Sequence, residues 1–324
     1  MQTVDTAAAT KRLMRFLAVP GITGEEAAIA REIQTVLREA GVPAKAIRFD
    51  DANSRIPEPT QTGNLIVTLP GTAKKDAKPI LFMTHMDTVP LCAGAKPVRV
   101  DKRIVNEAPT ALGGDNRSGC AVLATLAAEL IRQELPHPPI TLLFTVREES
   151  GLYGAKHLNP ADLGGVTMGF NFDGRRAADV IIGAIGADRW SVDIHGKASH
   201  AGVAPEKGIS ATMVLSLALA EAFEGGWWGK VVKDGRAGTS NVGPVAGAGG
   251  GSAGDATNVV TDFIRVRGES RSHDAKFVRA ITAAFKTAFT NAANRVKDHE
   301  GRAAKVKFVS RLDYVPFRLK EDAA

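Results

Sequence analysis

Thr141-Leu142-Leu143-Phe144-Thr145-Val146-Arg147-Glu148-Glu149-Ser150-Gly151 runs from an apolar, partly β-branched segment into two adjacent carboxylates and a glycine-bearing turn. An apolar run of that length bounded by a turn reads as a buried strand. A buried strand that ends in acids puts them at the carboxyl edge of a sheet, where open α/β sheets collect their ligands. Neighbouring strand residues point to opposite sides, so Glu148 and Glu149 are expected to do different work. One is placed to hold a cation and the other to move a proton. The same dipeptide also reads as a solvated acidic pair at the head of a turn.

The chain around this strand has 324 residues, which suits two domains. Hydrophobic residues at 44% are enough for two cores, and charged residues at 23% argue against disorder. The net charge of +6 is spread along the chain without a run of five basic residues, so no nucleic-acid surface is expected. Cys92 and Cys120 make no disulfide framework and suit a reducing compartment. Charges interrupt Met1 to Leu17, so no signal-peptide core is read there, and the apolar run Met213 to Ala222 is too short to span a bilayer. These features predict a cytoplasmic protein without a membrane partner.

Working outward, Ile80 to Thr84 is a second apolar strand, ending in His85-Met86-Asp87, and Val166 to Phe172 is a third, ending in Asp173-Gly174. Asn64 to Leu69 is a shorter β-type run, and Val98–Val100 with Ile104–Val105 form a small hairpin. Helical spacing marks Thr6 to Leu17 and Glu26 to Ala40; Thr23-Gly24-Glu25-Glu26 reads as the second helix's cap, and Gly41 as its stop. Leu112-Gly113-Gly114-Asp115-Asn116 is a glycine-rich turn into an apolar helix, Cys120 to Gln133. Strands alternating with helices predict an α/β fold with a mixed, mostly parallel sheet flanked by helices.

The pattern changes near Gly183. Trp190, Val192 and Ile194 alternate with polar residues, as in a half-buried antiparallel strand. A helix over about Gly208 to Phe223, a strand over Val259 to Gly268, a helix over Asp274 to Lys297 and a strand over Val306 to Tyr314 follow. This predicts an inserted α+β (ferredoxin-like) layer. The divisions read here are 1–184, 185–314 and 315–324.

Four strand or turn ends now carry metal-type side chains: His85 with Asp87, Asp115, Glu148 with Glu149, and Asp173. Imidazole with carboxylates suits zinc, manganese or cobalt. Each has a plain structural alternative. His85 could be a satisfied polar residue, Asp115 a helix cap and Asp173-Gly174 a turn.

Thr84-His85-Met86-Asp87-Thr88-Val89, Gly113-Gly114-Asp115-Asn116, Arg147-Glu148-Glu149-Ser150-Gly151 and Phe172-Asp173 resemble, in order, the signatures of the co-catalytic zinc exopeptidases, and most of all their peptidase T-like branch. The resemblance implies two Zn2+ per subunit, with Mn2+ or Co2+ as alternatives. His85 and Asp173 would bind one ion, Asp115 would bridge both, its next peptide bond (to Asn116) being cis, and Glu149 would bind the second. Glu148 would be the general base, and Asp87 would fix the imidazole of His85. Gly196-Lys197-Ala198-Ser199-His200-Ala201-Gly202 resembles the lid motif, whose histidine stabilises the oxyanion in the partner subunit's site; a polar turn is the plain reading. Asn258 and Arg271 would bind substrate, where a bidentate fork suits a carboxylate; a strand-edge amide and an exposed arginine are the plain reading.

The implied activity is hydrolysis of small peptides by a homodimer formed through the lid layer, with the Trp190 to Ile194 strand pairing edge to edge with its mate. An N-acyl amino acid amidohydrolase, or an inactive binding or dimerisation protein, are the alternatives. The family pattern also expects a late histidine for the second ion. The last one here is His299, on the lid helix, so the second site is expected to keep only Asp115 and Glu149 and to be weak.

Overall fold

The structure is a computed structural model and describes residues 3–73, 77–174, 176–254, 256–320 and 322. It divides into two units, Met1–Ala177 and Ala178–Ala324.

The first unit is a five-stranded sheet. Its strands are β1 (Ile47–Phe49), β2 (Leu65–Leu69), β3 (Ile80–His85), β6 (Ile140–Thr145) and β7 (Met168–Asn171), in the order β1-β2-β6-β3-β7. Strands β4 (Pro97–Val100) and β5 (Arg103–Asn106) make the separate hairpin. The helices are α1 (Thr6–Ala18), α2 (Ala27–Glu39), α3 (Ala52–Arg55), α4 (Gly114–Arg132) and α5 (Tyr153–Lys156). All six residues of β6 are buried, as its unbroken apolar run requires. Ile140, Leu142 and Phe144 join the core with Phe16 of α1, Ile33 and Leu37 of α2, and Leu123 and Ala127 of α4, while Leu143 packs with Ile66 and Leu81 in a separate cluster.

The sheet is mixed, as expected, but not mostly parallel. Pairs β3–β6 and β3–β7 are parallel; β1–β2 and β2–β6 are antiparallel. Parallel neighbours need a crossover between them. Helix α4 lies between β3 and β6 in the chain, and α5 between β6 and β7, whereas only the four-residue α3 separates β1 from β2. An apolar run is the same in either direction, so its composition does not reveal its polarity.

The second unit begins with β8 (Gly183–Ala184) and β9 (Gly186–His195), then α6 (Ala211–Glu224), β10 (Gly229–Lys233), β11 (Arg236–Ala246), β12 (Phe263–Ser272), α7 (Ala275–Arg295), β13 (Lys305–Tyr314) and β14 (Phe317–Arg318). Its main sheet, β10-β11-β12-β9-β13, is antiparallel throughout. Without β10, the order and helix placement are ferredoxin-like. Trp190, Val192 and Ile194 are buried together, as their alternation predicts, against Phe277, Ile281, Phe285 and Phe289 of α7. The Trp190 ring lies 4.8 Å from that of Phe285 and 5.5 Å from that of Phe308. Gly268 stands directly opposite, where a Cβ would fall inside the indole.

Two readings are corrected here. Strand β9 cannot pair edge to edge with a second copy, because β12 and β13 occupy both of its sides. The β10–β11 hairpin was missed, although Asp234-Gly235 between Lys230–Lys233 and Arg236 is a hairpin signal.

Candidate metal centre

Parallel register aligns the strand ends that carry the candidate residues. His85 stands opposite Thr145, and Met83 opposite Asn171. The segments holding His85 to Asp87, Glu148 to Glu149 and Asp173 therefore all leave the same edge. Helix α4 brings Asp115 to them. Its first turn is non-helical at Asp115 (φ −84°, ψ 109°) and Asn116, and the bond between them is cis, as the resemblance implied. Asn116 fastens this turn: its Nδ2 donates to the Phe172 carbonyl at 2.6 Å and its Oδ1 accepts from Gly119 N at 2.9 Å. Gly119 is needed for the close approach, since a Cβ there would lie 2.6 Å from the same carbonyl. The N-cap position of α4 is Gly113, and the side chain that accepts from a first-turn amide is that of Asn116, so the cap reading of Asp115 is set aside.

His85 is 2% exposed and is the centre of the cluster. Its Nε2 lies 3.1 Å from Asp115 Oδ1, 3.7 Å from Asp173 Oδ1 and 3.9 Å from Glu148 Oε2. One ligand atom each from His85, Asp115 and Glu149 fits within a 4.8 Å span. On its other side, Nδ1 faces Asp87, 3.1 Å from the backbone oxygen and 3.3 Å from Oδ1.

The electrostatics show why the cluster favours a cation. Burial alone would lower the pKa of His85, yet Asp173, Asp87 and Glu148 push it up to about 11. Burial pushes Glu148 up to about 7, against the pull of His85 and with added repulsion from Asp173 and Glu149. Burial and the nearby Asp115 raise Glu149 as well. Carboxylates crowded round one imidazole hold protons they would otherwise release. A divalent cation relieves that repulsion, and nitrogen plus oxygen donors at this spacing suit one. The donor set fits a metal.

Asp87 does more than its assigned task beside His85. It is fully buried, and its two oxygens accept the backbone N–H groups of Glu148 at 3.0 Å and Glu149 at 3.2 Å. One carboxylate thus fixes both the histidine and the turn bearing the acidic pair.

The remaining candidates lie in the second unit. The exposed His200 accepts at Nδ1 from Gly202 N at 3.1 Å. His200 itself makes an isolated antiparallel bridge with Val259, and Ala201 N donates to the Asn258 carbonyl at 2.8 Å, so His200 and Asn258 sit on adjoining segments. Arg271 lies on β12, and its Nη2 donates to Glu269 at 3.0 Å. Arg271 therefore does not join the other two.

Sequence reasoning missed three buried polar residues of the first unit. Asn64 and Glu26 are fully buried, and Arg117 is 2% exposed, its Nη2 donating to the carbonyls of Val19 at 3.3 Å and Gly21 at 3.2 Å. Arg117 was visible inside the Gly113–Gly119 motif. Asn64 and Glu26 gave no periodic signal, because each sits one residue before an element begins.

Residues 64–202 match the model of peptidase family M28, and residues 182–297 match that of the peptidase dimerisation domain. An uncharacterised protein of Bacillus subtilis, YqjE, is 31% identical over 297 residues, covering 90% of this chain and 73% of its own length. The structure of the aminopeptidase PepT from Bacillus cereus superimposes with a TM-score of 0.83 at 30% identity, over 98% of this chain and 79% of that one. A tripeptidase from Staphylococcus aureus gives a TM-score of 0.84 at 26% identity, over 99% and 79%. With the strand-end signatures in place and relatives matched over most of both chains, this chain belongs to the co-catalytic metal exopeptidases, in their peptidase T-like branch, and is a metallopeptidase by class.

Proposed function

We propose that this metallopeptidase is a zinc-dependent exopeptidase that releases residues from small peptides, tripeptides above all. The observation that carries the reading is the convergence of His85, Asp115 and Glu149 within 4.8 Å, beside a Glu148 held near neutrality. His85, Asp115 and Asp173 would hold one ion, and Asp115 with Glu149 would hold the second; zinc there would supply Lewis acidity toward water and the amide carbonyl. Glu148 takes a proton from the attacking water and returns it to the leaving amine. Asp87 keeps Nδ1 of His85 protonated so that Nε2 is the free donor atom. His200 is assigned to the oxyanion, and Asn258 and Arg271 to the ends of the substrate.

The layer 185–314 is assigned as the lid and the dimer contact, with 1–184 as the catalytic part and 315–324 as the return. The match to a dimerisation domain supports a homodimer. A cytoplasmic setting is consistent with the free thiols Cys92 and Cys120. Among the described residues no helix is long and apolar enough to cross a membrane.

The test is hydrolysis of unblocked tripeptides beside N-acyl amino acids. Tripeptide turnover that a chelator abolishes, zinc restores and Glu148→Gln lacks is the expected result. Turnover indifferent to chelator, or a preference for N-acyl amino acids, overturns it.

A further inference from the structure

Glu26 is an expensive residue for its place. It is fully buried, it stands at the N-cap of α2, and its side chain makes no bond to that helix. Helix starts use short oxygen-bearing side chains to satisfy their free amides, and Glu26 does not. Burial raises its pKa, with Asp87 adding repulsion and the Gly24 amide opposing it. Its Oε2 is buried without a hydrogen-bond partner among the described residues. A buried carboxyl group with one oxygen unsatisfied costs stability, so its role lies in what the other oxygen holds.

That other oxygen, Oε1, accepts from Gly24 N at 2.7 Å and from Arg147 N at 3.1 Å. Arg147 is the residue immediately before the acidic pair. Its φ is +50°, in the left-handed region that residues other than glycine seldom occupy without support. Its guanidinium is fastened in the same neighbourhood: Nε donates to Thr60 Oγ1 at 2.7 Å, and Nη2 to the Pro59 carbonyl. The N–H groups on either side of Arg147 are fixed in the same manner. Val146 N donates to Asn64 Oδ1 at 3.1 Å, and Glu148 and Glu149 to Asp87. Four successive amides after β6 therefore end on side-chain oxygens of three fully buried residues, Asn64, Glu26 and Asp87. A strand would have satisfied them with a neighbour's backbone. Here they are taken out of the ladder and aimed, which is how a turn is held in one conformation.

We infer that Glu26 is a positioning residue for the peptidase site: by holding the Arg147 amide it fixes the left-handed turn that directs Glu148 and Glu149 to their separate sides. The inference rests on the roles proposed for those two glutamates, but its structural half does not. Glu26 touches neither substrate nor metal and acts through the backbone of Arg147.

Three variants separate this from a general packing role. E26A removes the acceptor, E26D keeps a carboxylate but withdraws it by one methylene, and E26Q keeps an oxygen that can accept both amides. Residue-resolved hydrogen exchange on the zinc-loaded protein is read first. The Arg147 amide should exchange about tenfold faster in E26A and E26D, as expected for one lost hydrogen bond, while amides of β2 and β6 keep wild-type rates and E26Q restores protection. In turnover, kcat on a tripeptide should fall about 10- to 100-fold in E26A and E26D with KM nearly unchanged, and recover in E26Q. Unchanged exchange at Arg147 in a folded E26A or E26D overturns the inference, as does equal loss in E26Q and E26D. If E26A does not fold, E26D against E26Q decides. A wild type without turnover defeats the functional proposal alone, because the exchange result stands apart from it.

Discussion

At the carboxyl edge of the first sheet, each catalytic candidate is reached by a buried support: Asp87 grips His85 and the acidic pair, and Asn116 ties the Asp115 turn to the end of β7. In the second unit the candidates are held differently. His200 is exposed and its ring bonds only two residues away, while Arg271 is committed to Glu269. The first arrangement is preorganised for a cation whose charge is strong and whose geometry is fixed. In the second, the exposed His200 lies on a loop and can reorient at little cost, whereas Arg271 is half-buried on β12. The two arrangements stand to fail in different ways when altered.

The largest effect is expected where the chemistry itself is removed. Glu148→Gln should lower kcat about 10³-fold, within the range for loss of a general base, with metal content unchanged. A modest loss with metal retained would show that Glu149 or another group takes the proton. His200→Ala should cost about 10²-fold in kcat, as for one oxyanion donor, and leave unfolding free energy within about 0.5 kcal/mol of wild type. Loss of stability there would mean that the second unit is preorganised too, and the contrast would disappear. Asp87→Ala should weaken zinc binding about 10- to 100-fold, measured by competition with a coloured chelator. It should also release the Glu148 and Glu149 amides to exchange.

A further effect concerns pH. Glu148 carries a raised pKa of about 7, so between roughly 4.5 and 7 the folded, metal-free protein binds a proton that the unfolded chain releases. His85, raised to about 11, extends the same sign upward from its unfolded value of about 6.5. Both contributions are full at low pH and are lost as pH rises through the folded values. The metal-free protein should therefore lose thermal stability as pH rises from 5 to 9. Zinc affinity should rise over the same range, because binding expels those protons. Calorimetry on chelated and loaded samples tests this, and a metal-free protein that gains stability with pH would contradict the crowding of charge described here.

The ingredients of the first region were legible in sequence because most of the candidates follow an apolar strand, the strongest signal a chain gives, while Asp115 was marked by its glycine-rich turn. His85, Glu148 to Glu149 and Asp173 were placed that way. Strand direction was not legible, since β2 reads alike in either orientation, and half of the sheet's pairs proved antiparallel. Nor were Glu26 and Asn64, whose tasks depend on segments 121 and 82 residues away. In the second unit, alternation identified the Trp190 face but could not show that β9 is interior rather than an edge. Periodicity reports which side of a strand is buried, not which strands flank it.

The measurement that tests the central claim most directly is the zinc content of the purified chain, equilibrated at micromolar free zinc and determined by elemental analysis beside His85→Ala and Asp115→Asn. At least one tightly bound zinc per wild-type chain, lost in both variants while they stay folded, is the predicted result. A wild type without bound zinc, or variants that bind as much as wild type, would contradict the assignment of this strand edge as the metal centre.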